Sequence, residues 1–178
     1  MRIEPLTPAD EATVTEQLQR PPRGVLGVAY RCPAGHPGVV ATLPRLPDGT
    51  PFPTTYYATC PRLTGMVSTL ESSGLMKEME ERLVTDSVLA QRYRAAHDDY
   101  LAHRGELGEV AEIAGVSAGG MPDRVKCLHV LAAHALARGP GVNPLGDEVL
   151  DRLDNWWEPT SCAAAAGDAV PAGEATGE

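Results

Sequence analysis

Cys60 ends a run, Thr54-Thr55-Tyr56-Tyr57-Ala58-Thr59, whose residue types favour an extended strand, and Pro61 stands directly behind it. Proline is accepted in the first turn of a helix, so the Cys60 thiol is expected at or just before a helix N-terminus. The unpaired N–H groups and the dipole of a helix start favour a thiolate, which makes Cys60 the best-placed cysteine for nucleophilic or metal-ligating work. Cys32-Pro33 repeats this arrangement at the end of an earlier β-branched and apolar run, Val25 to Arg31. Cys127 belongs to a third element, beside Arg124 and Lys126. Three thiols from three elements, two of them strand ends, are expected to converge at one end of a sheet. Such a set suits a closed tetrahedral zinc site completed by a histidine, or a three-cysteine iron–sulfur cluster with an open fourth position. The alternative is three buried, inert thiols, because the chain has no Cys-x2-Cys pair.

Spacing tests the fourth ligand. His134 follows Cys127 by seven residues, which on a helix is nearly the same face but about 10 Å further along the axis. His129 is two residues from Cys127 and points about 200° away on a regular helix, so it fits only where the helix is irregular. His36, in the loop after Cys32, has the freest geometry. The ligand set expected from sequence is therefore Cys32, Cys60 and Cys127 with His36 or His129, while Cys162 lies in a tail and is a poor candidate. A separate feature is the pair Gly119-Gly120 ahead of Arg124 and Lys126, which would present N–H groups and two cations to a small anionic ligand. The competing reading there is a solvated helix end.

The elements that must position these groups can be read from the hydrophobic period. Thr7-Pro8-Ala9-Asp10 opens a short helix to about Gln19. Val25–Arg31, Val39–Leu43 and Thr54–Thr59 read as strands, giving a small sheet of about three. From Arg62 the apolar period lengthens, with Leu63, Met66, Val67, Leu70, Leu75, Met79 and Leu83 on one stripe and a kink expected at Ser73-Gly74. Thr85-Asp86-Ser87 restarts the pattern to about Arg104, and a short turn of helix is expected around Val110–Ile113. Pro122–Arg138 reads as one helix, apolar around most of its circumference and hence central, with Gly139 ending it. Asn143-Pro144 begins a last helix that Trp156-Trp157 lock onto the core. The fold class expected is α+β, a small mainly antiparallel sheet packed against four to five helices. Glu71, Glu78, Glu80, Glu81 and Asp98-Asp99 read as solvated helix faces.

Composition bounds the function. The 178 residues carry a formal net charge of −9, which argues against a nucleic-acid binder needing a basic face. Residues 1–157 are expected to form one domain, and the Ala-, Gly-, Pro- and Glu-rich residues 158–178 a disordered tail. Without an apolar run of the ~20 residues a membrane helix needs, no membrane insertion is expected. Cytoplasmic residence is expected as well, since Met-Arg-Ile-Glu-Pro is not a basic region followed by an apolar stretch. In a reducing compartment four widely spaced cysteines are thiols or metal ligands rather than a disulfide framework.

Three phrases carry a resemblance: Pro-Phe-Pro-Thr-Thr-Tyr-Tyr-Ala-Thr-Cys-Pro at 51–61, Ala-Gly-Gly-Met-Pro-Asp-Arg-Val-Lys-Cys-Leu-His at 118–129, and Gly-Pro-Gly-Val-Asn-Pro-Leu-Gly-Asp at 139–147. Together they resemble the bacterial family called domain of unknown function 501, over about Pro22 to Leu153. The resemblance implies that Cys32, Cys60, Cys127, His129 and His134 belong to the family's pattern and that Cys162 does not. Ala58 stands where a leucine is more usual, a departure that touches packing. Members are often encoded beside a septum-formation protein and an exopolyphosphatase-like protein, which implies a division or phosphate context. Two functions follow as expectations: a protein with a Cys/His-centred metal or iron–sulfur site, or a non-enzymatic interaction module of the cell division or envelope machinery, with a division-related partner and inert buried cysteines.

Overall fold

Local chemistry opens the first helix. Thr7 Oγ1 accepts the Asp10 N–H while the Asp10 carboxylate accepts the Thr7 N–H, and Pro8 fills the first position of α1 (Pro8–Leu18). Arg31 then binds both oxygens of Asp10, at 2.6 and 2.9 Å, tying α1 to strand β2 (Val25–Arg31). That guanidinium holds the Asp10 carboxyl well below the usual carboxylate range. The computed structural model describes residues 3–157, so the expected tail at 158–178 and Cys162 lie outside the described residues.

β2 pairs antiparallel with β1 (Glu4–Pro5) on one side and with β3 (Pro37–Thr42) on the other, and β3 pairs antiparallel with β4 (Tyr56–Ala58). Three of the four strands fall where the sequence predicts them. The fourth, β1, is two residues long and leaves no period-two signature. Val39 lies opposite Ala58 and Ala41 opposite Tyr56, so these four share one face and enter the main core. Val40 and Tyr57, paired between them, face the other way.

The apolar stripe from Leu63 to Leu83 forms two helices, α2 (Pro61–Ser72) and α3 (Leu75–Thr85), separated at Gly74, whose φ of +88° is a left-handed conformation that glycine adopts without penalty. Asp86 starts α4 (Ser87–Leu107) by accepting the Val88 and Leu89 N–H groups. A 3-10 turn follows at Ala111–Ile113. α5 (Leu128–Arg138) is the central helix: Leu128, Leu131, Ala132, Ala133 and His134 are fully buried. Asn143 begins α6 (Pro144–Asp151), its Oδ1 accepting the Gly146 N–H. α6 crosses α5 so closely that a Cβ at Gly146 would lie 2.2 Å from the Leu131 carbonyl oxygen. Trp156 is buried beside Tyr30, with ring centroids 6.1 Å apart, and closes the core behind α6.

Among the described residues, six α-helices and a four-stranded antiparallel sheet make an α+β fold. The central helix departs from expectation in its start. It was predicted from Pro122 and begins at Leu128, because partners outside a helix take the preceding amides. Lys126 N–H donates to the Gly119 carbonyl, Val125 N–H to Glu80 Oε1 and Leu128 N–H to Glu71 Oε1. Cys127 is extended, at φ −158° and ψ 110°, and stands at the N-cap. No helix among the described residues is long and apolar enough to cross a membrane.

Candidate functional site

The N-cap position of Cys127 changes its relation to His129. On a continuous helix the two side chains would diverge, but the extended backbone at Cys127 turns its sulfur back over the first turn of α5. Sγ comes 3.9 Å from His129 Nδ1. Glu71, in the last turn of α2, reaches the same point: its Oε1 lies 3.1 Å from His129 Nδ1 and 2.6 Å from the Leu128 nitrogen. Among the described residues, Glu71, Cys127 and His129 are the group of three potential ligands whose donor atoms all lie within 4.8 Å of one another. All three are half-buried.

Every neighbour of the His129 ring is a hydrogen-bond acceptor. Nε2–H donates to the Thr64 carbonyl at 3.1 Å, and the nearby Ser68 hydroxyl spends its own proton on that carbonyl, offering Nε2 only a lone pair. Nδ1 meets the Glu71 carboxylate and the Cys127 sulfur. Such surroundings favour the doubly protonated ring. Contact with the Cys127 sulfur is the largest influence, burial opposes it, and Glu71 adds to it; the balance pushes the imidazole up to about 9. The group opens on a cleft of about 510 Å³ lined by Leu18 of α1, by residues 54 and 56–59 along β4, and by Thr64, Cys127, His129 and Val130. That volume is within the ~300–1,000 Å³ range of small-molecule sites. A thiol, an imidazole and a carboxylate meeting at the wall of such a cleft can bind a metal ion, or can activate the thiol for attack.

The family model described as "Protein of unknown function (DUF501)" matches residues 28–151, from β2 to the end of α6, and so spans the cluster and its supports. The chain belongs to the DUF501 family. No curated protein and no solved structure matches it.

In this DUF501 chain Cys32, Cys60 and Cys127 do not form one ligand group among the described residues. Cys60 stands at the N-cap of α2 with Pro61 behind it, as expected, but is only 1% exposed. Cys32, just past β2, is likewise buried, and its N–H donates to the His36 carbonyl across a tight turn. Both thiols bear on Tyr30, whose hydroxyl burial pushes up. Among the described residues, neither joins Cys127 in a group of three ligands within 4.8 Å, nor does His36. The three-thiol convergence expected from sequence is therefore not the arrangement found: the strand-end cysteines point into the core, and Cys127 faces the cleft.

The glycine turn also differs from expectation. Gly119 and Gly120 sit in the turns before α5, with Arg124 and Lys126 exposed, and the helix start is already occupied by an anion of the chain's own, Glu71. His134 does not line the cleft. Its Nε2–H donates to Asp99 Oδ2 at 3.0 Å, and its Nδ1 accepts from Asn143 Nδ2 at 3.2 Å. The Asn143 amide is oriented by its Oδ1, which accepts from Gly146, so the His134 proton is assigned to Nε2. Arg138 grips both oxygens of Asp99. The His134 hydrogen bond above all, with Arg138 and against burial, holds that carboxyl well below its usual range. Tyr56 stacks on the His134 ring, with centroids 5.6 Å apart, and its hydroxyl is hydrogen-bonded to His103 Nδ1. His134 thus binds α4, α5 and α6 into the core.

Three acids that read as solvated helix faces carry this architecture: Glu71, Glu80 and Asp99 each accept from the loop or helix of Cys127 and His134. The signal for Glu71 was weak but present. It stands on the Leu63, Val67, Leu70 side of α2, one position past the last apolar residue of that stripe.

Proposed function

We propose that this DUF501 protein is a zinc-dependent protein whose centre is Glu71, Cys127 and His129. The observation that carries the reading is the two-sided use of His129: Nδ1 faces both other donors, while Nε2–H is held by a backbone carbonyl. A ligating histidine ordinarily has that second hydrogen bond, which fixes its tautomer and aims its lone pair. Metal–donor bonds of ~2.0–2.3 Å at tetrahedral angles would place donor atoms about 3.4–3.6 Å apart. The 3.9 Å from sulfur to nitrogen and 3.1 Å from nitrogen to oxygen bracket that spacing. A mixed sulfur, nitrogen and oxygen set suits zinc, and a single thiolate does not suit an iron–sulfur cluster. With three protein ligands, the fourth position would face the cleft, the pattern of catalytic rather than closed structural zinc sites. The metal would supply Lewis acidity there. The chain's own contribution is orientation: Thr64 aims His129, and the Leu128 N–H holds Glu71.

Zinc titration of the chelator-treated protein against a chromogenic competitor tests this. Stoichiometric binding is expected, lost in Cys127→Ser and His129→Ala and kept in Cys32→Ser and Cys60→Ser. Wild-type binding no tighter than that of Cys127→Ser overturns it.

A second reading has its own observation, the imidazolium character of His129 beside the thiol. Without a metal, Cys127 would act as a nucleophile paired with His129, and Glu71 would orient the ring. Alkylation separates the two. Protection of Cys127 from iodoacetamide by zinc favours the metal centre, whereas labelling unaffected by zinc and slowed by His129→Gln favours the nucleophile.

A further inference from the structure

The second face of the sheet holds a cavity that the Cys127 cluster does not explain. Val40, Thr42 and Tyr57 lie on this face, opposite the one covered by α5, and with Leu46 and Phe52 they line a hollow of about 200 Å³ beneath Leu18. Leu18 and Tyr57 also line the larger cleft, so the two spaces adjoin around these side chains. The smaller one is walled by aliphatic and aromatic carbon, and Arg20 and Arg23 stand at its rim, both exposed.

Charge gives the hollow its complement. In a chain of net charge −9, Arg31, Arg45, Arg82, Arg138 and Arg152 each take a carboxylate. Among the described residues, Arg20 and Arg23 take none within 4.0 Å. Asp48, the acid on which Arg23 acts at longer range, accepts the Thr50 N–H instead. Two guanidinium groups without a carboxylate partner beside a mainly apolar hollow match one kind of molecule, an apolar chain carrying an anionic head.

We propose that this groove binds an amphiphilic anion, its hydrocarbon part between Leu18 and the Val40–Tyr57 face, its carboxylate or phosphate on Arg20 and Arg23. The groove then leads past Tyr57 to Cys127 and His129, so the inference names the substrate class for the centre proposed above and rests on that reading only for its catalytic meaning. Burying the chain would remove apolar surface from water, and the head would gain charge-assisted hydrogen bonds with the fork geometry arginine offers.

Calorimetric titration of the full chain with octanoate, octyl phosphate, octanol and octylammonium tests it. One of the two anions is expected to bind at least about tenfold more tightly than the alcohol and the amine, and the preferred head identifies the natural one. Arg20→Glu/Arg23→Glu should lose that preference at unchanged melting temperature, and Leu46→Trp should weaken binding by filling the hollow. Equal affinity for octanol, or anion binding unchanged in the double arginine variant, overturns the inference. Because zinc titration is read separately, anion binding without zinc leaves the groove standing and removes the metal centre, and zinc binding without anion selectivity does the reverse.

Discussion

His129 should write a pH signature into the stability of the whole protein. Contact with the Cys127 sulfur, opposed by burial and assisted by Glu71, raises its pKa from 6.5 to about 9. A group whose pKa is higher folded than unfolded stabilises the fold fully below its unfolded value, and that contribution is lost as pH rises through the folded value. The window therefore opens near pH 6.5 and closes near pH 9. The full shift corresponds to about 3 kcal/mol at ~1.4 kcal/mol per unit. The His129 side chain is 26% exposed, however, and faces a cleft. Solvent screening there reduces the contribution to ~1–2 kcal/mol. Urea denaturation of the chelator-treated protein and of His129→Gln, between about pH 6 and about pH 9.5, isolates it, since other titrating groups contribute alike to both. The wild-type advantage over the variant is expected to shrink by ~1–2 kcal/mol across the window at unchanged m value. A difference that stays constant, or widens with pH, would refute the doubly protonated ring and the bonding assigned to its two nitrogens.

Asp99→Ala leaves the buried His134 N–H and the Arg138 guanidinium without their acceptor. It should cost about 3 kcal/mol or more in chemical denaturation, and Asp99→Asn, which keeps one acceptor oxygen, should cost less; a loss under ~1 kcal/mol for the alanine variant would remove the hub role. Gly146→Ala forces a methyl group toward the Leu131 carbonyl at the α5–α6 crossing. A loss of about 2–3 kcal/mol is expected from thermal or urea unfolding, and a variant as stable as wild type would mean that α6 moves away freely.

What could be read from sequence was what neighbours decide. The capping box at Thr7 and Asp10, the caps at Asp86 and Asn143, and the break at Gly74 each depend on residues within one turn, and each is found where expected. Cys60-Pro61 gave the start of α2 for the same reason. The start of α5 depends instead on Glu80 and Glu71, whose partners lie 45 and 57 residues away, and no local pattern records that. Helical geometry argued against pairing Cys127 with His129, correctly for a helix. The premise failed, because those two carboxylates support a cap where a continuous helix was expected. The acids read as solvated from sequence because a carboxylate on a helix face looks the same whether water or a distant amide is its partner.

One oxygen, Glu71 Oε1, accepts from both the Leu128 amide and the His129 ring. The position of the Glu71 carboxylate and the integrity of the first turn of α5 are consequently one variable. If Glu71 swings away, a fully buried residue loses the acceptor for its N–H, and the amide becomes free to open. The Leu128 amide proton is thus a built-in gauge: its chemical shift and its rate of deuterium exchange report the state of Glu71 without any label, substrate or assay of turnover.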